Sequence, residues 1–160
     1  RPTGVNAARA ALSVSGLPLV KPPWGRITAI DLNAGELLWQ VAHGETADRV
    51  RDHPALQDFD IPRTGRVGRV GTLVTKTLVI AGDGGGFTSA DERQGARLRA
   101  YDKMTGQEID AVFMPSSQTG SPMTYSIDGV QYIVVAVGGG TYAGELLAYR
   151  LPESEDNGGA

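Results

Sequence analysis

The sequence predicts an all-β chain built from repeated hairpins, and three observations support this. First, Ala29-Ile30-Asp31-Leu32-Asn33-Ala34-Gly35-Glu36-Leu37-Leu38-Trp39 reads as strand, four-residue turn, strand. Residues 100–110 repeat it with Ala, Asp and Gly in register, and Asp110 stands where the first copy has Trp39. Second, a partial third copy, Gly144-Glu145-Leu146-Leu147-Ala148-Tyr149-Arg150, stops where the turn would begin. Third, further hairpins alternate with these copies. One hairpin recurring at intervals of tens of residues is the signature of a repeat architecture, and four-stranded units of this kind point to a β-propeller. The expectation is a partial β-propeller: one complete four-stranded blade plus two partial blades.

Residues 1–23 precede the repeats and differ in character, being Ala-rich at Ala7 to Ala11 and carrying Lys21-Pro22-Pro23. The Ala stretch is too short for a stable isolated helix, and consecutive prolines favour extended backbone. This segment is therefore expected to be an extended or poorly ordered lead-in. The propeller blades are expected over 24–152, with a disordered acidic tail at 153–160.

In the first repeat Asp31 ends a strand and can accept hydrogen bonds from turn N–H groups. Gly35 supplies the positive φ that the turn needs. On the incoming strand Ile27, Ala29 and Leu32 are the apolar positions. The outgoing run Glu36 to Val41 is almost continuously apolar, which predicts a strand buried on both faces. Asp102 and Gly106 occupy the matching positions in the second copy. An excursion, His43 to Val67, follows the first copy. Next come Gly71 to Thr75, a Lys76-Thr77 turn, and Leu78 to Gly82. After the second copy, Pro122 to Ile127 and Val130 to Val137 flank Asp128-Gly129, a strong signal for a two-residue type I′ turn. Residues 70–113 thus form the complete blade. Residues 26–41 supply the last two strands of the blade before it, and residues 121–150 the first three of the blade after.

The 160 residues include 22 glycines and no cysteine, and carry a net charge of −3. The charge balance argues against a nucleic-acid surface. Zero cysteine excludes disulfides, thiolate catalysis, zinc thiolate sites and a thioether-linked haem within this chain. No apolar run is long enough to span a membrane. A blade buries its faces only against neighbouring blades, so the chain is expected to be the C-terminal part of a longer protein or to self-associate.

At several positions a chemical reading competes with a structural one. His43 and His53 lack a second ligand at metal spacing and read as loop hydrogen-bonding residues. Gly82-Asp83-Gly84-Gly85-Gly86 lacks the Lys-Ser/Thr of a phosphate cradle and reads as an extended loop between strands, with a cation on Asp83 a minor alternative. Ser116-Ser117-Gln118-Thr119 has no nucleophile elbow and reads as an inter-blade loop. The arginines Arg63, Arg66, Arg69 and Arg93, Arg97, Arg99 read as solvated loop and strand-edge charges.

The Ala-x-Asp-x-x-x-Gly-x-x-x-Trp unit resembles the tryptophan docking motif of the quinoprotein dehydrogenases, whose eight-bladed propeller binds pyrroloquinoline quinone (PQQ). Pro22-Pro23-Trp24-Gly25-Arg26-Ile27-Thr28-Ala29-Ile30-Asp31 is similar to the start of a late blade in the glucose-dehydrogenase-like branch. Gly120-Ser121-Pro122-Met123-Thr124-Tyr125, Gly129-Val130-Gln131-Tyr132-Ile133-Val134 and Gly138-Gly139-Gly140 resemble that family's C-terminal blade. Together these cover about residues 21–150.

The resemblance implies a quinoprotein dehydrogenase-like fold in which Asp31, Gly35, Trp39, Asp102 and Gly106 are structural, with Trp39 tying adjacent blades together. It implies a cofactor-facing position around Gly68 and Arg69. Thr141 and Tyr142 follow the last glycines, Tyr142 standing where several members have a Trp beside the cofactor. It further implies PQQ and Ca²⁺ in the intact protein, an alcohol or sugar substrate such as glucose, and a periplasmic or extracytoplasmic location. The catalytic carboxylate and the calcium ligands belong to other blades, so no catalytic or metal residue is assigned here. The isolated segment is expected to be inactive. The alternative reading is a non-catalytic propeller scaffold for protein–protein contacts, which the missing Trp at Asp110 and the substituted Tyr142 keep open.

Overall fold

A computed structural model describes residues 13–84, 87–88 and 94–150. The tail at 153–160 and the Ala-rich part of the lead-in lie outside these. The regular secondary structure of the described residues is almost entirely antiparallel strand, in four groups. A small hairpin pairs β1 (Ser13–Val14) with β2 (Leu17–Pro18), so this part of the lead-in is a hairpin rather than a simple extended arm. Its turn places Ser15 and Gly16 at positive φ. β3 (Arg26–Asp31) pairs with β4 (Glu36–Ala42).

The central sheet orders β5 (Thr72–Val74), β6 (Leu78–Gly82), β8 (Gln94–Asp102) and β9 (Glu108–Met114) side by side. A short β7 (Phe87–Thr88) adds to the start of β8. The last sheet joins β10 (Met123–Ile127), β11 (Val130–Gly139) and β12 (Tyr142–Arg150). One four-stranded blade between a two-stranded and a three-stranded partial blade is the expected architecture.

The repeat turns follow from their chemistry. Asp31 Oδ1 accepts from the backbone N–H of Asn33 at 2.8 Å and of Ala34 at 3.2 Å, and Gly35 N–H donates to the Asp31 carbonyl at 2.7 Å. Asp102 Oδ1 likewise accepts from Met104 N–H at 2.9 Å and Thr105 N–H at 2.8 Å, and Gly106 N–H closes on the Asp102 carbonyl at 2.9 Å. Gly35 has φ +72° and Gly106 φ +74°, conformations that exclude most side chains on steric grounds. At the tip of the β10–β11 hairpin, Asp128 and Gly129 both take positive φ, as a type I′ turn demands.

The core lies between the central sheet and the last one. Ile80, Ala96, Leu98 and Met114 from the first meet Val135 and Val137 from the second. Leu73, Ile133, Leu147 and Tyr149 pack around them. The β3–β4 sheet is less covered. Leu37 and Leu38 are 59% and 60% exposed, which corrects the expectation of a strand buried on both faces. Trp39 packs on the next repeat, but among the described residues nothing covers Leu37 and Leu38, so the outgoing strand keeps apolar surface open. Leu32 is also exposed, because it falls in the turn and not on the inward side of β3.

The excursion folds back as a short helix α1 (Asp48–Arg51) and a 3₁₀ turn (Pro54–Leu56). Its return limb crosses its outgoing limb on backbone hydrogen bonds. Trp24 N–H donates to the Thr64 carbonyl at 2.7 Å, His43 N–H to Gly25 at 2.9 Å, and Arg66 N–H to His43 at 2.7 Å. A Cβ at Gly25 or Gly65 would overlap the opposing backbone, so glycine is required at this crossing.

Candidate functional site

A strip of glycine-rich backbone crosses the ends of the strands. β6 ends at Gly82, and the following Asp83-Gly84 turn reaches the segment before β5, where the Gly68 and Gly84 backbones pack together. On the other side the Ser117 hydroxyl donates to the Gly84 carbonyl at 2.9 Å. Gly138 N–H then donates to the Ser117 carbonyl at 2.9 Å, and Gly138 abuts Gly144. Arg69 follows Gly68 at one end of this strip. Thr141 and Tyr142 follow Gly140 at the other. All three are exposed. The Tyr142 hydroxyl donates to the Glu145 carboxylate, and that hydrogen bond pushes the phenol pKa above its ordinary value.

Gln118 stitches the strip together. Its Oε1 accepts from Gly82 N–H at 2.6 Å and its Nε2 donates to the Gly71 carbonyl at 2.8 Å. The Gln118 backbone also bridges to Val137, so one buried residue ties the central sheet to the next through its side chain on one side and its backbone on the other.

Behind the turn lies a buried ionic cluster. The Arg99 side chain is fully shielded. Its Nε and Nη2 donate to the two Asp83 carboxylate oxygens at 2.9 and 3.1 Å. Nη1 donates to Glu108 at 2.7 Å, and Nη2 also reaches Glu45 at 3.0 Å. Arg63 adds a 2.6 Å hydrogen bond to the other Glu108 oxygen. Burial works against the Arg99 charge, but the hydrogen bonds and charge of Asp83 outweigh it and raise the pKa. Burial likewise opposes ionisation of Glu45, yet Arg99 pulls its pKa below the ordinary carboxylate value.

His43 sits beside this cluster. Its Nε2 faces the Gly82 carbonyl at 3.0 Å, which must accept, so Nε2 carries the proton. Nδ1 then accepts from the Tyr101 hydroxyl at 2.8 Å. Burial lowers the His43 pKa, in keeping with a neutral ring.

One sequence expectation changes here. Arg99 is not a solvated edge charge, and Arg63 is half-buried in the same network. Asp83 holds Arg99 through both oxygens, in keeping with the loop reading of this segment. The two histidines do make the structural hydrogen bonds expected of them, His53 Nε2 contacting the Ser15 carbonyl at 2.9 Å. One signal pointed to the cluster. Arg97, Arg99 and Tyr101 alternate with Ala96, Leu98 and Ala100 along β8, so a polar face opposes the core face.

A cavity of about 410 Å³ borders the cluster, lined by Glu45, Arg63 and Glu108 with Phe59 and Ile61. A second, of about 620 Å³, separates β3 from β5 and β6. Neither is lined by Arg69, Thr141 or Tyr142. Among the described residues, no group of three or more His, Cys, Asp or Glu side chains is placed to hold a metal ion. No helix among them is long and apolar enough to cross a membrane.

Comparison with known proteins agrees with this architecture. The PQQ family described as "Glucose/ethanol/alcohol dehydrogenase, beta-propeller domain" matches residues 2–133. The chain belongs to this PQQ β-propeller family. It is 33% identical over 159 residues to quinoprotein glucose dehydrogenase A of Acinetobacter calcoaceticus, covering 96% of this chain and 18% of the relative. It is 32% identical over 163 residues to a probable quinate dehydrogenase (quinone) of Xanthomonas campestris pv. juglandis, covering 96% and 19%. It is 30% identical over 146 residues to a glycerol dehydrogenase large subunit of Gluconobacter thailandicus, covering 88% and 18%. The chain spans less than a fifth of the length of these relatives.

Proposed function

We propose that this chain is the C-terminal propeller segment of a PQQ-dependent dehydrogenase that oxidises an alcohol or sugar outside the cytoplasm. The observation that carries the reading is the family match across residues 2–133. The named relatives act on glucose, quinate and glycerol, all hydroxyl compounds.

The segment's role is to complete the ring and supply part of the cofactor wall. The glycine strip fits a planar, carboxylated group. Gly139 and Gly140 have open space where a Cβ would stand, so a flat ring can approach the backbone. At one end the exposed Arg69 guanidinium suits a carboxylate. At the other, Thr141 offers a hydroxyl and Tyr142 an aromatic face, with Glu145 orienting the phenol. The bound quinone would accept the electrons removed from substrate, with Ca²⁺ as Lewis acid. The base and the calcium ligands come from other blades, and the residues of this chain bind and orient.

The test is dye-linked oxidation by the full-length protein, reconstituted with PQQ and Ca²⁺ and offered glucose, quinate, glycerol and a primary alcohol. Cofactor-dependent turnover of at least one is expected. A protein that neither binds PQQ nor turns over any of them is instead a scaffold propeller.

A further inference from the structure

We infer that Arg99 is a positioning residue for the cofactor wall, fixing the Asp83-Gly84 turn against Gly68 on one side and Ser117 on the other. The inference rests on the reading of Arg69, Thr141 and Tyr142 as that wall.

The turn touches both halves of the wall. Gly84 packs on Gly68, the residue before Arg69. Its carbonyl accepts from Ser117, whose own carbonyl accepts from Gly138, just ahead of Gly140-Thr141-Tyr142. A displacement of the turn therefore changes the spacing between Arg69 and Tyr142. Besides that Ser117 contact, the backbone of Asp83 is held at two points, its N–H donating to the Arg97 carbonyl at 2.8 Å and its carbonyl accepting from Gln118 N–H at 3.3 Å. The Asp83 side chain accepts from Arg99 through both oxygens, with His43 Nε2 4.0 Å from its Oδ1.

A stability role does not account for the choice of residue. Buried ion pairs contribute little over a well-packed apolar substitute, because desolvation offsets the Coulomb gain. What a guanidinium adds is geometry. Its planar fork meets Asp83 through Nε and Nη2, while Nη1 reaches Glu108 and Nη2 also Glu45, so the turn is oriented from behind. Lysine offers a point charge that cannot hold that fork.

The experiment uses the full-length protein stripped of cofactor, with PQQ affinity measured by equilibrium dialysis and the absorption spectrum of the bound quinone recorded. Arg99→Lys and Asp83→Asn are each expected to weaken PQQ binding about tenfold, as loss of an orienting partner does elsewhere. Substrate KM at saturating PQQ should hold. Glu108→Gln touches the guanidinium on the side away from the turn. It is expected to lower the melting temperature while leaving PQQ affinity within about twofold of wild type. Arg69→Ala and Tyr142→Ala test the wall itself. If they weaken PQQ binding while Arg99→Lys and Asp83→Asn do not, the positioning role is wrong and the wall stands. If Arg69→Ala and Tyr142→Ala leave binding unchanged, the wall reading fails and the inference fails with it. Equal loss of affinity in Glu108→Gln and Asp83→Asn also overturns it, since the effect would then be general destabilisation. Should Arg99→Lys not fold, the contrast between Asp83→Asn and Glu108→Gln decides.

Discussion

The indole of Trp39 rests on Gly106, so that a Cβ on that glycine would lie 2.6 Å from Cε3 of the ring. Its Nε1 donates to the Lys103 carbonyl at 3.1 Å. The tryptophan that closes one repeat is thus seated on the turn of the next. The Asp–Gly turn has two duties: it reverses its own hairpin and offers a side-chain-free platform to the blade before it.

Truncating Trp39 to Ala is expected to destabilise the protein by about 2–3 kcal/mol, toward the low side of aromatic truncations because the ring is half-buried. Trp39→Phe keeps the contact and loses the Lys103 hydrogen bond, about 1 kcal/mol. Gly106→Ala should cost at least as much as Trp39→Phe, since it combines a positive φ with a clash against the indole. Denaturant unfolding checks the order. A Trp39→Ala loss within about half a kcal/mol would mark an unimportant surface contact.

Gln118→Leu should cost about 2–4 kcal/mol, because it leaves the Gly82 N–H and the Gly71 carbonyl without their partner. Hydrogen exchange should show faster opening at Gly82 than at Leu98 in mid-sheet. Uniform loss of protection across the chain would mean that Gln118 is not a local stitch.

His43 gives a pH dependence. Its folded pKa lies below the ordinary value near 6.5, because burial disfavours the charged ring. The unfolded chain therefore takes up the proton first as pH falls, and stability is lost below about pH 6.5 and retained above it. Melting temperature should fall between about pH 7 and 5, and His43→Gln should flatten that slope. An unchanged slope in the variant would assign the acid sensitivity to other groups.

The fold was legible in the sequence wherever a local rule acts within a few residues. The Asp31–Gly35 and Asp102–Gly106 turns, the Asp128-Gly129 hairpin and the complete blade all follow from φ preference and period-two patterning. The open face at Leu37 and Leu38 was not legible, because burial depends on which neighbour covers a strand and apolar sequence alone does not say. The Arg99 cluster depends on four segments distant in sequence, Glu45, Asp83, Arg99 with Glu108, and Arg63. No spacing rule joins them, although the alternation along β8 marked the polar face.

The isolated chain should self-associate. Ile30, Leu37, Leu38 and Leu146 are exposed on its end sheets, and the outer edges of β3 and β12 carry no paired strand among the described residues. It should also fail to oxidise an alcohol or sugar with added PQQ and Ca²⁺. Light scattering and dye reduction address the two points. A dilute monomer that unfolds cooperatively would contradict the first, and turnover would place the catalytic groups in this segment.

The most direct measurement is PQQ retention by the full-length protein carrying Tyr142→Ala, followed by dialysis against cofactor-free buffer with circular dichroism as the control for folding. Faster loss of the quinone from a folded variant is the predicted result. Retention equal to wild type would contradict the assignment of the glycine strip and its flanking residues to the cofactor wall.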